Sequence, residues 1–377
     1  MTANIENELD LNNKELLKNL IMAFGVPEKY VEETKYLPEI MQRIITASEV
    51  DIITKLGNKS YNLAQAAELL ELSESEAGHK LEQLQRKGVI MAVPDLAKGE
   101  LTYTPTTMIL LHDMTLLNTR EDPERFGEDF LELWDKFYKE VMVPTFSRME
   151  KHMKDAGDSV FRVIPVEETI TKDHANRILS YETVAGIIQK ANNVSLQPCI
   201  CRTRTHGKNC SHMVEDACMG FDMMAHIAVE RGHARMVSKE EALEQLKKTS
   251  ADGLVHLSGN TSDGLAFICS CCACCCGVLY ALVNAGTRLI AQPSRYQARV
   301  ESELCCGCET CVGFCNFKAI SMKDDTARID AAKCWGCGVC AFNCPEEAIK
   351  LDNTREEDFI PEGNFLLKMM ERPINYE

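Results

Sequence analysis

Eight of the 19 cysteines fall into two runs of one spacing. Cys305, Cys308, Cys311 and Cys315 read C-x2-C-x2-C-x3-C, and Cys334, Cys337, Cys340 and Cys344 repeat it, with Pro345 after the last. A tight loop of this spacing gathers three thiolates around one iron–sulfur cubane, while the fourth begins a helix and points across to a second cubane. The runs therefore predict one [4Fe–4S] cluster on Cys305, Cys308, Cys311 and Cys344, and another on Cys334, Cys337, Cys340 and Cys315. Gly307, Gly336 and Gly338 supply the unrestricted backbone that lets loop amides turn toward sulfur. Structural zinc is the alternative for eight thiols, but zinc sites usually pair short C-x2-C elements and not triple runs.

About fifty residues around these runs resemble two-cluster bacterial ferredoxins. The likeness extends to the flanking strands at 296–301 and 327–329 and to the Ala-Ile pairs Ala319–Ile320 and Ala348–Ile349. It implies a ferredoxin-like βαβ module that moves low-potential electrons. Two residues depart from the pattern. Asn316 stands where proline often follows the fourth cysteine, which bears on one loop or one potential, and Cys306 is an extra thiol beside the first ligand, available for ligand exchange.

Two more thiol groups lie upstream. Cys199, Cys201, Cys210 and Cys218 form a C-x-C-x8-C-x7-C set, numerically complete for one [4Fe–4S] cluster or one tetrahedral zinc. Cys269, Cys271, Cys272, Cys274, Cys275 and Cys276 follow within eight residues. A helix over 271–276 would put Cys271, Cys274 and Cys275 on one face and Cys272 and Cys276 on another. Six thiols cannot reach one cubane, so they either serve two sites, one shared with the first set, or build a less usual centre. Buried, unliganded thiols are the plain alternative. One or two further iron–sulfur clusters are expected here, with zinc as the other choice.

From about residue 190 to 350 the chain resembles a group of ferredoxin-domain iron–sulfur proteins of anaerobes. The likeness rests on C-x-C-R, here Cys199, Cys201 and Arg202, and on C-C-x-C-C-C-G at 271–277. It implies clusters and an anaerobic setting and names no substrate. His206, His212, His226 and His233 lie near the central thiols as candidate ligands or proton carriers, although surface or core histidines are the commoner case. Arg202 and Arg204 are candidates to stabilise a reduced cluster or bind an anion, and Met219, Met223 and Met224 read as core.

These groups must be positioned by a chain of 377 residues, more than one core usually serves. The pattern predicts an α+β multidomain protein. A helical, winged-helix-like region over 1–115 contains helices at 62–70 and 73–87, then a ribbon at 89–93 and 101–104 about a turn at 95–99. A cysteine-rich central α/β domain over 116–295 opens with a long helix at 129–153. It continues with strands at 160–164, 194–199, 254–257 and 265–268 and helices at 182–190, 221–231 and 238–248. The two-cluster ferredoxin domain occupies 296–352, and an extended tail with a short final helix occupies 353–377.

The amino terminus shows no basic start followed by an apolar core, so a reducing, cytoplasmic setting is expected, in which thiols bind metal and do not cross-link. No run is apolar enough to span a membrane. A formal charge of −16 disfavours nucleic acid and suits a basic redox protein or enzyme complex. Dimerisation through the N-terminal region is a further expectation. Rossmann, P-loop and nucleophile-elbow motifs are absent, so reducing equivalents must come from a partner. Electron transfer is the leading function. A reductase acting at the central centre and a redox-responsive winged-helix regulator are the alternatives, the latter weakened by the balanced charge of helix 73–87.

Overall fold

The computed structural model describes residues 13–364 except Pro27, 95–98, 122–125, 151–158, 172–177, 206–209, Met213 and Leu289. Most of the turn expected at 95–99, the end of the long helix, His206 and the tail helix lie outside the described residues. The chain divides into two compact units, one comprising Met1–Met142, Thr203–His206 and Pro373–Glu377, the other Val143–Arg202 and Gly207–Arg372. Helices and strands mix in an α+β arrangement, and no helix among the described residues is long and apolar enough to cross a membrane.

In the first unit, helix Ala47–Leu56 leads to strand β1 (Tyr61–Asn62), helices Leu63–Leu70 and Glu74–Lys87, and strands β2 (Ile90–Pro94) and β3 (Leu101–Pro105). The strands form an antiparallel sheet in the order β1-β3-β2. Local chemistry sets these bounds. Ser73 and Glu76 bond reciprocally in a capping box, Ala77, Leu81 and Leu84 are buried, and Gly88 closes the helix in the left-handed region, where glycine pays no Cβ penalty. The long helix is interrupted: Glu128–Phe137 passes into a π-helical turn at Tyr138–Met142, while Phe130, Trp134, Phe137 and Val141 are all buried.

The second unit is built on a seven-stranded mixed sheet in the order β10-β4-β8-β9-β6-β5-β7. Its strands are β4 (Phe161–Ile164), β5 (Val194–Gln197), β6 (Cys218–Phe221), β7 (Arg235–Val237), β8 (Val255–Gly259), β9 (Phe267–Cys271) and β10 (Ala291–Gln292). Only β10 and β4 pair in parallel. Helices Val184–Lys190 and Lys239–Ala251 cover a core of Ile164, Ile187, Leu196, Phe221, Leu246 and Ile268. Helix Gly277–Asn284 covers another, with Val163, Val255, Leu257 and Leu279. Adjacent Val163 and Ile164 serve different cores because successive strand side chains point to opposite faces.

The sequence pattern misplaced several elements. Phe221 was expected to begin a helix but ends β6, and the helix runs Met223–Glu230; β6 is buried throughout and so lacks the alternation that marks a strand. Ser238 caps its helix by accepting the Glu241 N–H at 3.2 Å, and the Glu241 carboxylate is turned to Arg235 at 2.5 Å.

The C-terminal module follows the sheet directly. Strand β11 (Tyr296–Val300) pairs with β14 (Ile349–Asn353), and β12 (Ile320–Lys323) with β13 (Thr326–Ile329), around short helices Thr310–Phe314 and Val339–Phe342. Where sheet meets module, Glu182 and Arg295 form an ion pair at 2.5 Å with both side chains 1% exposed, and Glu182 also accepts the Leu179 N–H at 2.7 Å. Removing one partner of such a pair strands the other charge in the interior. The Glu182→Gln variant is therefore expected to lose about 3–5 kcal/mol, read as a lower urea midpoint at unchanged slope.

Candidate metal centres

Strand register assembles the central thiols. Cys218 opens β6 directly opposite Cys269 on β9, and Cys271, two residues along, shares the face of Cys269. Cys199 lies just past β5, whose Gln197 pairs with Cys218, and Cys201 sits on the short helix Ile200–Arg204. After β9 the chain turns, with the Cys276 N–H donating to the Cys272 carbonyl at 3.0 Å. Cys276 then caps helix Gly277–Asn284. The result is a row of contacting thiols: Cys199 with Cys218, Cys218 with Cys269, Cys269 with Cys271, Cys271 with Cys276, and Cys276 with Cys201. Hydrogen bonds from Cys218 and Cys271 draw Cys269 down to about 6.

The remaining four thiols form a tighter group beside the row. Cys210, Cys272, Cys274 and Cys275 have sulfur atoms all within 4.8 Å of one another. Cys272 and Cys275 are buried, Cys210 is half-buried and Cys274 is exposed. A hydrogen bond from Cys275 draws the Cys272 thiol down to about 5. Cys199, Cys201, Cys210 and Cys218 share one core cluster with Cys272 and Cys275, and within it the Cys210 sulfur lies 4.0 Å from that of Cys272, 62 residues later. One expectation is corrected. The helix expected over 271–276 starts only at Gly277, so its face argument does not apply to thiols on a turn.

The neighbouring polar residues also separate. Burial alone would lower Arg202, but Cys199, Cys210, Cys272 and Cys275 outweigh it and raise its pKa; its guanidinium donates to the Val214 carbonyl. Arg204 instead packs over the Tyr138 ring at 4.0 Å and pairs with Asp135 at 3.3 Å in the first unit. His212 bonds to the Asp252 carbonyl at 2.7 Å, His226 is exposed, and burial pulls His233 down to about 4. Among the described residues no histidine joins the four-thiol group. Met219 is buried core, as expected.

In the C-terminal module, Cys305, Cys308, Cys311 and Cys344 line one cavity with Met322, Ala327 and Ile349. Cys315 and Cys334 lie in electrostatic reach of Cys337 and Cys340. Backbone N–H groups reach sulfur from Ala319 to Cys315 at 3.2 Å and from Ala298 to Cys334 at 3.5 Å. Burial pushes Cys337 up to about 12, and a thiol ligates metal as its thiolate, giving up the proton on binding. Donor type, grouping and amide–sulfur bonds all fit iron–sulfur ligation. Exposed Cys306 bonds to the Cys308 thiol.

Asn316 ties this module to the central turn. Its Oδ1 accepts the Ala273 N–H at 3.0 Å, and its Nδ2 donates to the Gly253 carbonyl at 3.0 Å. Asn343 repeats the device, donating to the Ser250 carbonyl at 2.9 Å. Beneath these bonds Phe317 stacks on Trp335, ring centroids 5.4 Å apart. Both belong to the apolar core that holds Cys269, Cys271 and Cys276 on one side and Cys315 and Cys337 on the other. The sequence reading noticed Asn316 only as a departure from proline and had no signal for its partners.

Residues 327–350, which contain Cys334, Cys337, Cys340 and Cys344, match the family described as 4Fe-4S binding domain. No curated protein and no solved structure matches the chain significantly. The C-terminal region is thus a ferredoxin-type module that binds a [4Fe–4S] cluster. Its second loop depends on Gly336, at φ +65°, where an added Cβ would lie 2.0 Å from the Tyr296 carbonyl oxygen. Gly336→Ala is expected to cut bound iron and acid-labile sulfide together, measured on protein purified without oxygen.

Proposed function

We propose that this is an iron–sulfur electron-transfer protein, passing low-potential electrons through two ferredoxin-type [4Fe–4S] clusters to the central cysteine-rich centre or to a docked redox enzyme. The observation that carries this reading is the apolar core shared by Cys315 and Cys337 with Cys269, Cys271 and Cys276. When bound, such clusters supply reversible one-electron storage at potentials tuned by amide bonds and exposure. Differences in exposure among the proposed ligands support the reading. Cys308 is exposed at one end, beside the exposed side chains of Leu304 and Val312 and of Glu309 and Glu346, a face suited to a basic partner. Cys340 is buried at the next set, and Cys271 and Cys276 are buried beyond it.

The first unit supports docking or dimerisation better than groove reading. Its helix, strand, helix, helix and ribbon follow the winged-helix order. On Glu74–Lys87, however, Arg86 pairs with Glu82 at 2.7 Å and Lys87 with Glu49 at 2.7 Å. Two of the cations a DNA-binding helix would present are thereby neutralised.

The test is anaerobic reduction by a low-potential donor without added substrate. Rapid, reversible bleaching is expected in the wild type, lost in large part in Cys308→Ser and Cys337→Ser; unaltered reduction in both variants would sink the proposal. About eight irons with matching sulfide correspond to two cubanes, and about twelve or more place a further cluster on the central thiols.

A further inference from the structure

We propose that Cys210, Cys272, Cys274 and Cys275 hold a single zinc ion, separate from the iron–sulfur centres. One tetrahedral ion with metal–sulfur bonds of about 2.3 Å sets its four sulfurs about 3.8 Å apart. Here Cys210 and Cys272 are 4.0 Å apart, Cys274 and Cys275 are 3.8 Å apart, and all four lie within 4.8 Å of one another. A cubane gives each thiolate its own iron at a separate corner, so its sulfurs must stand wider.

The same structure contains the comparison. The eight thiols of the ferredoxin runs, whose spacing is that of cubane ligands, and the six-thiol row, whose contacts are pairwise, form no group of three or more all within 4.8 Å of one another among the described residues. Among those residues the Cys210 group alone does form one. Four sulfur donors in tetrahedral reach select zinc or iron, and the closed set, with all four positions filled by protein, is that of a structural zinc site. Cys272 and Cys275 pack with Cys199, Cys218 and Leu254, so the site lies against the thiol row without sharing a ligand with it.

What the ion would stabilise is visible in the chain. Cys210 lies ahead of β6 on a stretch without regular secondary structure, which backbone hydrogen bonds alone hold weakly. The ion would fasten it to the turn at 272–275, whose Ala273 N–H is held by Asn316. Binding replaces four thiol protons, released to solvent, by one Zn²⁺. The resulting complex carries two negative charges, and Arg202 approaches three of its four ligands.

Full-length protein purified without oxygen should contain about one zinc per chain. In Cys210→Ser and in Cys272→Ser/Cys275→Ser that zinc should be lost while iron and sulfide stay at wild-type levels. Cys337→Ser should do the reverse, so failure here is distinguishable from failure of the electron-transfer reading. Because ligand loss can unfold the region, Cys274→His at the exposed corner serves as a second variant. It keeps four donors, should retain zinc, and should shift the visible absorption of the cobalt-substituted protein away from that of a four-thiolate site. Iron and sulfide lost together from the Cys210 or Cys272/Cys275 variants would overturn the proposal. So would a wild-type chain replete in iron but without zinc, or a single iron without sulfide at this site.

Discussion

Cys218 stands opposite Cys269 across the β6–β9 ladder, and this cross-strand pair determines where every other central thiol can go. Strand side chains alternate with period two, so Cys271 must follow Cys269 onto the same face while Ser270 turns away. A slip of one residue would send both thiols to the opposite face and leave Cys199 and Cys276 without partners. Ser270 then completes the other face, its hydroxyl 3.1 Å from the imidazole of buried His256, whose far nitrogen is 3.1 Å from Ser250. Register therefore separates a thiol side from a hydroxyl–imidazole side within three consecutive residues.

Burying so much sulfur has an energetic condition. A neutral thiol packs as a small hydrophobe, but a thiolate in the interior must be compensated by hydrogen-bond donors, a metal or a cation. The thiol row meets this condition with neighbouring S–H donors, and the Cys210 group has Arg202 beside it. The row spans two cores, Cys271 and Cys276 packing beneath the C-terminal module and Cys199 and Cys218 around Leu254, where they meet Cys272 and Cys275.

Features written in short stretches of sequence were legible. The helix at 73–87 and the ribbon after it depend on neighbours within a few residues, and both are found where the pattern puts them. The partition of the central thiols was not legible, because Cys210 meets Cys272 only through the sheet that lies between them in sequence. Strand β6 was missed because Cys-Met-Gly-Phe is buried on both faces and carries no period. The π-helical turn escaped because an inserted residue leaves the local hydrophobicity almost unchanged.

The two asparagine clamps also bear on modularity. A ferredoxin-like segment joined by a linker is in principle a cassette, interchangeable with others of its kind. Here Asn316 and Asn343 cap the Gly253 and Ser250 carbonyls at the end of helix Lys239–Ala251. Gly253, at φ +83°, leaves no room for a side chain beside Phe314. A foreign module with proline at position 316 would offer neither amide donor nor acceptor there. Surface and module therefore form a matched pair, and exchange between proteins of this architecture has to move both halves of the seam together.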